Sequence, residues 1–179
     1  MSGYVRVLSM KKALATIFVS LIFATFALGQ TPASYVGYEY KGAVPDSVMP
    51  NGVKHLGGAL VSDINKDPVY GIAQVSKGKT RMLWLEVSTG QNEKGVTGWR
   101  VLDVLSFPAL TGSQHLLISY DPAVECLRNG NQVDGLVAFG TIVRRKGVYT
   151  PQRAWIADIE KKKFTTASIR GLRCTYSEP

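Results

Sequence analysis

The chain has 179 residues, 45% of them apolar, and a formal net charge of +8. Residues 1–29 hold three of the 21 basic residues and none of the 13 acidic ones; without them eighteen basic face thirteen acidic residues, +5 over 150 residues. That length suits one domain with its own core, and part of the headline basicity is targeting chemistry with nothing to say about partners.

The first segment carries Arg6, Lys11 and Lys12, then an uncharged apolar run from Ala13 to Leu28, then Ala27-Leu28-Gly29 before Gln30. A positive start, an apolar middle and a small-x-small exit make the pattern of a cleavable secretory signal peptide over residues 1–29. The run is short of the about 20 residues of a membrane span, and no basic cluster follows it. Met10-Lys11-Lys12 is a sufficient start by itself, so Met10 is an alternative initiator. The expected mature domain is residues 30–179, periplasmic or secreted, with no transmembrane span.

After a polar lead at 30–34, glycines punctuate apolar runs of five to eight residues, the pattern of short strands joined by turns. The expected strands are 35–41, 59–64, 69–75, 81–87, 99–105, 114–120, 136–143, 154–160 and 164–169. Polar, hairpin-length turns join 69–75 to 81–87 and 154–160 to 164–169. The run 136–143 is the most continuously apolar and is expected at the centre. Successive strand side chains alternate faces, which groups Leu83, Leu85 and Val87 against Met82, Trp84 and Glu86. In 99–105 the same rule groups Trp99, Val101, Asp103 and Leu105 against Leu102 and Val104. Both faces look partly covered, which favours a sandwich or barrel over a half-exposed sheet. One short helix is expected near 122–128, with Asp121 as its cap, Pro122 in its first turn and Asn129-Gly130 as its stop. The fold class is therefore all-β: one sandwich or barrel of about eight or nine short strands with that single helix.

Cys126 and Cys174 are the two cysteines. In an oxidising compartment such a pair forms a disulfide, closing a loop of about 49 residues and tying the C-terminal tail to the helix. They lack the C-x-x-C spacing of a redox pair.

Motifs for chemistry are scarce. His55 and His115 are not in metal-binding spacing, so no metal is expected, and no phosphate-cradling glycine loop points to a nucleotide cofactor. No G-x-S-x-G occurs. Ser113 and His115 lie two apart and could share a strand face. Glu86, Asp103 and Asp158 each sit in an apolar strand near a tryptophan, an arrangement that would suit sugar binding or a raised carboxyl pKa. Against both stands the ordinary use of large aromatics as packing.

Charge is more informative. Residues 144–173 hold nine basic and two acidic residues, leaving the rest of the mature chain at −2. Arg144, Arg145 and Lys146 follow one expected strand; Lys161, Lys162 and Lys163 sit between two. If the hairpin ends align, these six form a docking surface for an acidic protein, a glycan or an anionic lipid. The other reading is a set of solvated turns that protect sheet edges. Nucleic acid is not expected, given export and the missing aromatic-basic motif. The sequence thus points to a non-catalytic binding module of a bacterial envelope or exterior. Two alternatives stand beside it: an extracytoplasmic hydrolase of glycan or peptide using Glu86, Asp103 or His115, and a structural envelope component.

Overall fold

The computed structural model describes residues 32–42, 49–50, 52–107, 110, 112–119, 124–143 and 148–176. Residues 1–29, read above as a signal peptide, Asp121, Pro122 and the basic residues Arg144, Arg145 and Lys146 lie outside them. The described residues form an all-β fold of two antiparallel sheets, with one short 3-10 turn at Pro32–Tyr35.

The first sheet holds β1 (Glu39–Lys41), β2 (Val53–Leu60), β3 (Tyr70–Lys77), β4 (Thr80–Gln91) and β5 (Thr97–Phe107), in the order β1-β5-β4-β3-β2. The second holds β6 (Gln114–Ile118), β7 (Val124–Arg128), β8 (Asn131–Gln132), β9 (Leu136–Val143), β10 (Val148–Asp158), β11 (Lys163–Ala167) and β12 (Leu172–Tyr176). Its order is β6-β9-β10-β12-β7-β8, with β11 also on β10. Both expected hairpins form, β3 with β4 and β10 with β11. The run 136–143 is β9, paired on both sides, with Leu136, Val137 and Ala138 fully buried.

Alternation in β4 works as expected. Leu83 and Leu85, with Ile72 of β3, pack between the sheets against Ile118, Val137, Phe139 and Ala157. Met82 and Trp84 turn the other way. They join Ala73, Val75 and Val101 beneath a lid made by Tyr35, Tyr40, Met49 and Val53. The first sheet is thus buried on both faces and curls around a core of its own. The second sheet does likewise around Leu117, Val124, Leu136, Tyr149, Leu172 and the two cysteines.

Two expectations need correction. The segment 124–128 is a strand, not the second half of a helix. Its buried residues, Val124 and Cys126, are two apart, with Glu125 exposed between them. Asn129 and Gly130 both take positive φ, 54° and 85°, and join Arg128 to its partner Asn131. This is the primed hairpin turn that Asn-Gly favours, and it competes directly with the reading of the same pair as a helix stop. Cys126 therefore meets Cys174 squarely across β7 and β12, with Cα atoms 4.1 Å apart and a disulfide between them. The strand count is twelve among the described residues rather than eight or nine; β7, β8 and β12 are the additions.

β10 also begins earlier than its apolar pattern implies. Pro151, which has no N–H to give, sits in it beside a register shift between Pro151 and Arg153. Its partner is Gly140, where any Cβ would collide with the Thr150 carbonyl oxygen, so only glycine fits.

Candidate functional site

The basic turns come first. β10 separates them: residues 144–147 precede its first residue and 159–162 follow its last. Eleven strand residues put those two strand ends about 33 Å apart at the usual rise. At the second turn, Asp158 accepts from the Lys161 backbone N–H at 2.9 Å and from its Nζ at 2.6 Å. These bonds hold the Asp158 carboxyl below its ordinary pKa and the Lys161 amine above its own. Lys161 thus spends its charge within the turn, Lys162 adopts φ of 54°, and all three lysines are exposed.

The acids part company. A register shift in the β4–β5 pairing sets Glu86 opposite Val101 and Leu85 opposite Asp103, leaving Leu102 over as the bulged residue. That extra residue breaks the strict alternation. Trp99, Val101 and Val104 stay with the core of the first sheet, whereas Leu102 and Leu105 pack between the sheets. Asp103 goes with them, so Trp99 and Asp103 do not share a face. Asp103 accepts from the backbone N–H of Phe164 at 2.7 Å and of Val104 at 2.9 Å, tying β5 to β11. Ser113 precedes β6 in a turn, and its carbonyl accepts from Ile142. His115 Nε2 is buried with no hydrogen-bond partner among the described residues, so Ser113 is not paired with it.

Glu86 is different. It is 6% exposed, on the curled inner face of the first sheet, and it lines an open cleft of about 570 Å³. One wall is Tyr40, Thr97 and Trp99, from β1 and β5; the other is His55, Gly58 and Leu60, from β2; Gly71, Ile72 and Ala73 of β3 lie between. Tyr40 donates its hydroxyl to Glu86 Oε2 at 2.5 Å. The other oxygen, Oε1, receives no donor among the described residues. It lies over Gly71, the residue directly across from Glu86, where a Cβ would come within 3.3 Å of it. Tyr40 is held in place by rings: Trp84 at 6.4 Å and Tyr38 at 6.4 Å between centroids. A smaller hollow of about 420 Å³ adjoins the cleft and shares Leu60, Thr97 and Trp99 with it.

Burial pushes the Glu86 carboxyl up to about 7, and the Tyr40 hydrogen bond opposes this only in part. Tyr40 is itself pushed well above the ordinary phenol range, by burial first and by the Glu86 charge second. The consequence for stability has a definite sign. Between pH 4.5, the ordinary value, and about 7, the folded carboxyl keeps a proton that the unfolded chain has released. Raising the pH across that window therefore favours unfolding, by up to about 3 kcal/mol, and the loss ends above it. Urea unfolding at pH 4.5, 6 and 8 should show this fall in wild type relative to Glu86→Gln; parallel profiles for the two proteins would refute it.

No protein-family model, curated protein or solved structure matches this chain. Among the described residues, no three His, Cys, Asp or Glu side chains are grouped to hold a metal, and no helix is long and apolar enough to cross a membrane.

Glu86 has a sequence signal: alternation puts it on the same face as Met82 and Trp84, an acid on a core face. Tyr40 has none, because its contact with Glu86 spans 46 residues and two strands that lie between.

Proposed function

We propose that this chain is an exported binding module whose ligand seats in the cleft over Glu86. The observation that carries the reading is the Glu86 carboxyl: almost fully buried, with Oε2 held by Tyr40 and Oε1 without a donor among the described residues. A largely desolvated carboxyl facing an open hollow favours a ligand that brings it a donor. A concave, mostly apolar hollow with one convergent polar group is the usual form of a small-ligand site. Work outside the reducing cytoplasm is supported by the Cys126–Cys174 disulfide as well as by the signal-like start.

Hydrolysis of a glycan is less well supported. It takes a pair of carboxyl groups flanking the scissile bond, and Glu86 is the one acid among the described residues lining the cleft.

Thr97→Trp tests the reading. Thr97 is half-buried at the cleft rim, so an indole there fills the hollow without touching the core. Ligand-observed NMR against a mixture of small sugars, amines and carboxylates should give binders for wild type that weaken at least ten-fold in the variant. Binders unaffected by the plug would place the ligand elsewhere.

A further inference from the structure

We infer that the cleft selects an organic ammonium, a positively charged amine carrying a short hydrocarbon chain, with its N–H groups donated to Glu86 Oε1. The inference rests on the cleft being the ligand site. It starts from what surrounds the carboxyl. Oε1 lies where β3 offers only Gly71, so the space above it is backbone-lined and open to the hollow. A donor arriving from the cleft meets an acceptor that no described side chain competes for.

The remaining lining decides which donor. Ala73, Leu60 and Val96 supply hydrocarbon surface, and Tyr40 and Trp99 supply ring surface. A sugar presents hydroxyls on every side and needs several polar side chains to replace their water. This lining provides few. An alkylammonium presents one charged end and an apolar remainder, which matches one carboxylate at the floor and apolar walls. Aromatic faces favour a cation further, through the negative charge of the ring face. Glu86, desolvated and short of partners, forms a charge-assisted bond with such a ligand that a neutral hydroxyl cannot equal.

Among the described residues, two other titratable side chains line the cleft: Tyr40 from β1 and His55 from β2. The lining residues of β3 and β5 carry none. Binding of a cation should tighten as pH rises through neutrality and the Glu86 proton leaves, and Glu86→Gln should remove that dependence.

The test uses three probes on the purified protein: n-butylammonium, 1-butanol of the same size, and the larger methyl glucoside. Each is titrated with two-dimensional NMR observation of the Gly58 and Gly71 amides and the Trp99 indole N–H. Butylammonium should move these signals, with affinity at least ten-fold above that for 1-butanol. Glu86→Gln, which keeps an acceptor for Tyr40, should erase the preference while melting as a folded protein. The butanol comparison within wild type stands even if that variant does not fold. A cleft that takes 1-butanol or methyl glucoside as well as butylammonium overturns the ammonium assignment and leaves the cleft reading intact. Signals that move with none of the three, together with ligands indifferent to Thr97→Trp, overturn both.

Discussion

Replacing both cysteines with alanine, or reducing the disulfide, should lower the stability of the fold by about 4 kcal/mol. The bond joins residues 48 apart in sequence. Opening it restores to the unfolded chain the freedom of a loop that holds β8 to β11 whole. The folded state loses little in exchange. Both cysteines are 2% exposed within the core of the second sheet, and alanine keeps the Cβ atoms there. Because the effect acts through the unfolded chain, the two single replacements should each cost nearly as much as the double one. Urea unfolding with and without reductant measures it. A loss below about 1 kcal/mol would mean that the unfolded chain is already constrained in this region, contrary to the loop-entropy account.

Trp84→Ala should cost about 3–5 kcal/mol, comparable to the disulfide but by a different route. Trp84 is fully buried on the inner face of β4, and its ring is packed by Tyr35, Tyr38 and Tyr40 at 5.3, 6.1 and 6.4 Å. Truncation leaves a hole that three rings on the 3-10 turn, β1 and the link between them cannot all close. Trp84→Phe should cost less than half as much. The indole Nε1 is buried with no acceptor among the described residues, so losing it removes an unmet polar group along with some packing. Both variants lack the N–H, so the difference between their equilibrium unfolding measures the packing of the ring; equal losses would refute the packing account. Trp84→Ala should also loosen Tyr40 and with it the hold on Glu86 Oε2, so probe binding in the cleft should weaken in that variant.

Much of the architecture was legible locally. The β3–β4 and β10–β11 hairpins were marked by glycine and lysine turns, and β9 by its unbroken apolar run. Faces in β4 followed from alternation alone. The failures have physical causes that sequence spacing hides. Asn129-Gly130 serves equally as a helix stop or a primed turn, and only the pairing of β7 with β12 decides between them. The bulge at Leu102 shifts Asp103 to the opposite face from Trp99, a change of one residue that no alternation count registers. β12 has too mixed a composition to stand out; its place comes from the cystine and from backbone pairing. Within the site, Glu86 was visible as an acid on an apolar face. What gives it a chemical role was not: a tyrosine from the far side of the sheet, a glycine directly opposite, and the curl that brings β1 and β2 to either side of one hollow. The lysines at 161–163 were visible as charge, whereas the bonds by which Asp158 engages Lys161 are a property of the turn's geometry.

The cross-strand cystine also fixes how the molecule carries load. Tension applied at the two ends of the chain passes from residue 174 straight to residue 126 through the sulfur bridge. The ring between them, with β8, β9, β10 and β11, stays slack. Strands at the heart of the second sheet are thus shielded from pulling, and the first sheet, with its cleft between β2 and β5, lies on the loaded path. A pull strong enough to open the protein would part the first sheet while the ring still held its own hairpins closed.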